Sequence, residues 1–219
     1  MKIYIPYKHT TGEELRFCLR SIEKNLTGFD DVILITDKKP DWYIGETLRH
    51  LDVSTRKELN IISKLFQVKD EKFIRWCDDI FLLKPLQVSE IKNWYQGRLS
   101  DALQRAQGKY YEAIRNTIEH FGDVKYYDIH TPAIFTREQI QRVFRLEWGN
   151  KDFVIKTAAL CEEDGEETTD LKINRPISKE AIQELVKDRM FFSTGANGFK
   201  PQMINFLTEI FPDKSRYEI

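Results

Sequence analysis

No stretch of the chain reaches the roughly 18 apolar residues that a membrane span needs. The opening residues, Met1–Thr10, have a five-residue apolar start without a signal-peptide core. Cysteine is scarce: Cys18, Cys77 and Cys161 stand far apart with no CxxC spacing. That excludes a zinc or disulfide framework and reads as buried thiols in a reducing compartment, so the expected location is the cytoplasm. Neither sign of charge predominates, since 34 Lys and Arg against 35 Asp and Glu leave a formal net charge of −1. No global basic field recommends nucleic acid, which the composition permits as a partner without favouring it. Repeats and low-complexity linkers are also lacking, and 219 residues are expected to form one domain, 1–219.

What is present is an apolar run with acid at its centre, Phe73–Leu86, FIRWCDDIFLLKPL. Phe73-Ile74-Arg75-Trp76 has the character of a strand entering a core, and Ile80-Phe81-Leu82-Leu83 resumes it beyond Cys77-Asp78-Asp79. Two adjacent carboxylates between buried strands are costly unless a cation meets them. A divalent metal with oxygen ligands is the simplest such partner. The competing reading is a solvated surface turn, and the apolar flanks weigh against it.

Upstream, Lys2–Pro6 reads as a first strand. Thr11 and Glu14 have capping-box spacing before a helical stripe of Leu15, Cys18, Leu19 and Ile22. Asp31–Thr36 is a nearly continuous apolar strand, the pattern of one covered on both faces. Residues 47–53 fit a short helix followed by a strand, and Arg56–Phe66 is helical. The order β-α-β-(α)-α-β implies a mixed, mainly parallel sheet flanked by helices, with ligands beyond the carboxyl ends of its strands. Pro6-Tyr7-Lys8, Thr36-Asp37-Lys38 and Cys77-Asp78-Asp79 are expected to converge there.

Downstream, residues 89–121 read as a helical insertion broken near Gly97, with one basic side from Arg98, Arg105, Lys109 and Arg115. A solvated face is the ordinary meaning of such a side; an anionic acceptor or a partner surface is the sharper one. Asp123–Asp128 looks like a strand leading to His130-Thr131-Pro132. Thr136 and Gln139 then cap a helix, and residues 162–170, EEDGEETTD, form an acidic solvated loop without an EF-hand pattern. Ser178–Lys187 and the segment opened by Pro201 are helices, separated by the strand-and-loop Phe191–Gly198.

Several of these segments resemble a known family. Leu15–Asn25, Ile33–Asp37 with Pro40-Asp41-Trp42, Phe73–Phe81, His130-Thr131-Pro132 and Phe211–Glu218 are similar, in order, to the motifs of the Stealth family. Those motifs read L-R-x-x-L-R-S-I-E, T-D-x-x-P-x-W, F-I-Y-x-N-D-D-x-F, H-x-P and F-P-x-x-S-x-F-E. Its members are sugar-phosphate transferases, including bacterial capsule polymerases and the lysosomal-enzyme N-acetylglucosamine-1-phosphotransferase. Cys77 stands where the family has Asn, the opening strand lacks its acidic residue, and Ser193-Thr194-Gly195 replaces an Asn-Asp. What remains is the part shared with nucleotide-sugar glycosyltransferases of the GT-A type.

The resemblance implies a GT-A-like enzyme that moves a sugar from a nucleoside-diphosphate sugar, a UDP-sugar by preference, to a glycan or other acceptor. Asp79 would hold Mn²⁺ or Mg²⁺ against the departing diphosphate, with Asp78 on the metal or on donor hydroxyls. Pro6, Tyr7, Lys8 and Asp37 would meet base and ribose, Tyr7 by stacking. Asn60 and Lys64 would reach the donor from the preceding helix. His130 would be the third metal ligand or an acid–base group. The rival classes are a Stealth-type sugar-1-phosphate transferase, a phage-type glycosyltransferase of modified DNA bases, and a non-catalytic nucleotide-sugar-binding relic.

Overall fold

Alternation along the first strands decides the architecture. In β1 (Ile3–Pro6), Ile3 and Ile5 join one apolar core while Tyr4 joins another on the opposite face. The same division recurs after α1 (Glu14–Asn25) and β2 (Leu26–Thr27). In β3 (Val32–Thr36), Val32 and Leu34 face one way and Ile33 and Ile35 the other. A strand buried on both faces must be covered by helices on both, as its continuous apolar sequence requires. The computed structural model describes residues 1–219.

Next come β4 (Thr47–Arg49), α2 (Lys57–Phe66), β5 (Lys72–Arg75), β6 (Ile80–Leu82), β7 (Leu86–Gln87) and β8 (Trp94–Tyr95). Two helices, α3 (Leu99–Arg105) and α4 (Gly108–Phe121), precede β9 (Ala133–Thr136), α5 (Arg137–Phe144) and α6 (Ile155–Leu160). The chain closes with β10 (Glu166–Glu167), β11 (Lys172–Ile173), α7 (Lys179–Val186), β12 (Phe191–Thr194) and α8 (Pro201–Ile210).

The main sheet has the order β4-β3-β1-β5-β9, parallel except for β9, which runs antiparallel to β5. A second sheet, β11-β12-β6, pairs β12 antiparallel to β6. The protein is therefore α/β, with mixed sheets that are mainly parallel at the centre and flanked by helices. β5 belongs to the first sheet and β6 to the second. The chain changes sheets across Trp76–Asp79, and the acidic pair sits at that crossing. Helix α1 packs with β6, α7 and α8 over one face, while α2, α5 and α6 cover the other. A third, five-residue core (Leu99, Ala102, Ala113, Ile114 and Val154) belongs to the α3–α4 hairpin and the start of α6's approach.

Several expectations are corrected. Helix α1 begins at Glu14 with no side-chain cap, so Thr11 and Glu14 form no capping box. The insertion is not helical from residue 89. A 3₁₀ turn at Val88–Glu90 leads into β8, because Trp94 and Tyr95 find aromatic partners in Phe191 and Tyr127 and pair with β10. Gly97 (φ +62°) turns the chain just before α3, and Gly108 (φ +57°) opens α4. Asp123–Asp128 is no ladder strand. It is tied to residues 96–99 by Leu99 N–Val124 O, Gln96 N–Tyr126 O and Tyr126 N–Gly97 O at 2.9–3.0 Å, with one isolated bridge. Residues 47–49 are strand and not helix. The Thr136–Gln139 capping box is present. No helix is long and apolar enough to cross a membrane.

Candidate active site

Parallel strands β1 and β5 end side by side, and their last residues open a cleft of about 140 Å³. Pro6, Asp78, Asp79 and His130 line it together, so these four sequence-derived residues meet. Lys57, Glu58, Arg75, Cys77, Asp128 and Lys172 complete the charged wall. Burial, reinforced by the adjacent Asp79, pushes the Asp78 carboxyl up to about 7. Burial and the nearby Asp128 do the same to Glu58, also to about 7. The Cys77 thiol is pushed up by burial. Carboxyls displaced into the neutral range inside a cleft are a common signature of chemistry.

His130 is held from both sides. The Asp170 carboxylate accepts from the His130 backbone N–H at 3.2 Å and faces the ring Nδ1 at 2.8 Å. Burial opposes ionisation of Asp170, but the bonds from His130 outweigh it and hold the carboxyl below its usual range. An ionised Asp170 accepts a hydrogen bond from Nδ1–H, which leaves the Nε2 lone pair as an acceptor. The Lys172 ammonium lies 2.8 Å from that Nε2 and 3.5 Å from Asp79 Oδ2. The backbone turn under the ring is fixed by buried Lys156, whose Nζ donates to Ile129 O (3.0 Å), Thr131 O (2.8 Å) and Thr131 Oγ1 (2.9 Å). Burial, then the neighbouring Arg75, push that ammonium down to about 7.

A wider chamber of about 430 Å³ shares Lys57, Glu58, Asp128 and His130 with the cleft. Its far wall is Tyr110 and Tyr126. Tyr110 donates to Asp128 Oδ2 at 2.8 Å, and the Tyr126 hydroxyl lies 2.7 Å from it. Arg56, at the mouth, is engaged by Asp152. A larger hollow of about 580 Å³ lies at the opposite end of the sheet, beside Thr136, which pairs with Lys72 at the start of β5. Four of its side chains bond one another, Arg142 with Glu162 and Gln139 with Glu163, and none of the residues expected from the sequence to form the site lines it.

The other expected residues lie elsewhere. The Tyr7 ring is 1% exposed in the core, with its hydroxyl accepting from Thr10 N, so it has no face on which a base can stack. Asn60 accepts from Val53 N and Ser54 N and donates to Ser54 O, clamping a loop. Lys64 is buried between Tyr7 O (2.9 Å) and Asp52 (2.7 Å). Lys8 is exposed and does not line the cleft. Asp37 is also exposed, and accepts from Lys38 N at the end of β3.

The expected ligand set Asp78, Asp79 and His130 does not fit a divalent metal in this arrangement. No three His, Cys, Asp or Glu side chains converge on a common point. The reason is Lys172, whose ammonium takes both the His130 Nε2 lone pair and a carboxylate oxygen of Asp79. Of the residues that sequence reasoning passed over, Arg75 carried a signal, a cation inside an apolar strand three residues before the acidic pair. Asp170 was hidden as the last acid of a run read as solvated, and Lys172 follows it with no pattern of its own.

No known family model matches the chain, and no curated protein matches it.

Proposed function

We propose that this protein is a GT-A-like glycosyltransferase, moving a sugar from a nucleoside-diphosphate sugar to an acceptor in the wider chamber. The observation that carries the reading is the acidic pair Asp78-Asp79 at the carboxyl end of β5, facing His130 across a cleft that opens into a second chamber. Open α/β sheets bind ligands at this edge. The cleft supplies cations for a diphosphate in Arg75, Lys57 and Lys172, and the chamber supplies tyrosines for a sugar.

The bond between the anomeric carbon and the diphosphate oxygen breaks, and the diphosphate leaves with the electron pair. An acceptor hydroxyl oxygen bonds to that carbon, and its proton passes to a carboxylate on the shared wall. Glu58 suits this task, since its carboxyl titrates near 7, where a general base is most effective. Asp128 is engaged by Tyr110 and serves to hold the chamber wall. Against a nucleic-acid acceptor, two arginines of the insertion's basic side are already paired, Arg98 with Asp123 and Arg115 with Glu112 and Glu119.

Titration calorimetry with UDP- and GDP-sugars, followed by assay for released nucleoside diphosphate, tests the reading. Saturable binding and slow release by hydrolysis are expected. Absence of binding for the whole set would remove the proposal.

A further inference from the structure

We propose that Lys172, with Arg75, supplies from within the chain the positive charge that a diphosphate needs in this cleft, so that anion binding requires no divalent metal. The inference deepens the reading above and rests on it for the identity of the diphosphate.

The Lys172 ammonium stands between two groups that would otherwise be metal ligands, 2.8 Å from His130 Nε2 and 3.5 Å from Asp79 Oδ2. A divalent ion bonded to the same Nε2, at the usual distance of about 2.1 Å, would lie almost on top of that ammonium. The two cations are mutually exclusive. The arrangement favours the lysine because its supports are built in. Asp170 orients the imidazole with its lone pair outward. β11 carries Lys172 and pairs with β12, and Thr194 at the end of β12 donates its backbone N–H to Asp79 O at 3.3 Å. One short ladder thus fixes the lysine and the aspartate relative to each other.

The ammonium is also available, with 28% of the Lys172 side chain exposed on the cleft wall. Arg75 on the same wall takes part in no ion pair, and its buried Nε has no hydrogen-bond partner. A buried, unpartnered guanidinium nitrogen is a costly feature that an anionic ligand relieves. An ammonium and a guanidinium lining one cleft supply two cations for the two phosphates of a diphosphate without a bridging ion.

The test uses the full chain with inorganic pyrophosphate and UDP as probes, in excess EDTA and again with Mn²⁺. Wild-type protein is expected to bind both probes in EDTA, with affinity little changed by Mn²⁺. Lys172→Ala should weaken binding in EDTA by about tenfold or more, and Lys172→Arg should retain most of it. Lys172→Ala, with Asp79 and His130 released, should also gain a saturable Mn²⁺ site, read by electron paramagnetic resonance, that wild type lacks. Circular dichroism checks that both variants are folded. The proposal is overturned if wild type binds pyrophosphate only with Mn²⁺ or not at all, or if folded Lys172→Ala binds it in EDTA as wild type does. Should pyrophosphate bind in EDTA while every nucleotide sugar fails, the donor reading falls and the lysine site stands.

Discussion

The guanidinium of Arg20 meets the carboxylate of Glu218 at 2.8 Å across 198 residues of chain. Arg16 joins the same carboxylate at 2.9 Å and lies over the Trp42 ring, while Tyr217 reaches Asp31 and the backbone of Val32. Three of the segments behind the resemblance noted in the sequence (the helix with its two arginines, the loop with Trp42 and the closing residues) therefore meet in one clasp. The clasp lies on the α1 side of the sheet and contributes nothing to the cleft lining. Its motifs hold the architecture together, whereas Asp78, Asp79 and His130 line the cleft.

Breaking that clasp should destabilise the fold and spare the site. Glu218→Ala leaves two half-buried guanidinium groups without their acceptor, and a loss of about 2–4 kcal/mol in denaturant unfolding is expected. Burial opposes ionisation of Glu218, but bonds from Arg20 and Ser215 outweigh it and hold the carboxyl below its ordinary value. A depressed carboxyl adds stability above its unfolded pKa and loses it as pH falls through the folded value. The gap between wild type and Glu218→Ala should therefore close on acidification, in a pH series of melting curves.

At the acidic pair the sign reverses. Burial and Asp79 hold Asp78 protonated up to about 7, while the unfolded chain ionises near 4. Its contribution is present at low pH and lost as pH rises through about 7. Asp78→Asn removes the penalty, so its melting temperature should exceed that of wild type by about 2–5 °C at pH 8. At pH 4 the two proteins should melt together. Scanning calorimetry at the two pH values checks both halves.

Glu58→Gln should keep donor binding and lower turnover. An absent general base costs about 10²–10⁴ in rate, with affinity for the donor nearly unchanged. Equal turnover in the variant would return Glu58 to the role of a buried wall residue.

Lys156 makes no contact with the cleft but fixes the turn that carries His130. Lys156→Met keeps the volume and leaves the carbonyls of Ile129 and Thr131 without their donor. Amide exchange across residues 129–131 should accelerate by about tenfold or more, while protection in β1 and β3 stays as it was. Hydrogen-exchange mass spectrometry resolves the two regions.

The strands, their burial on both faces and the carboxyl-edge location of the acidic pair were legible because each rests on local pattern. The continuous apolar run of Asp31–Thr36 reads as a covered strand, and the apolar flanks of Asp78-Asp79 place the pair between two strands. Tyr7, Asn60 and Lys64 misled for the opposite reason. They sit at the right edge, but their polar atoms are consumed by Thr10, the 53–54 loop and Asp52, choices made by packing. Lys172 and Asp170 were invisible because they come from a segment that reaches the site only through the second sheet. No periodicity announces a residue delivered by a two-residue strand.

The helical hairpin α3–α4 carries its own small core and lends the wider chamber Lys109, Tyr110 and Ala113. The charged cleft draws nothing from it. On the proposed function, the strand ends would grip the leaving group and the hairpin would face what receives it. Under that reading, substitutions at Lys109 and Tyr110 would redraw acceptor choice without touching the strand ends.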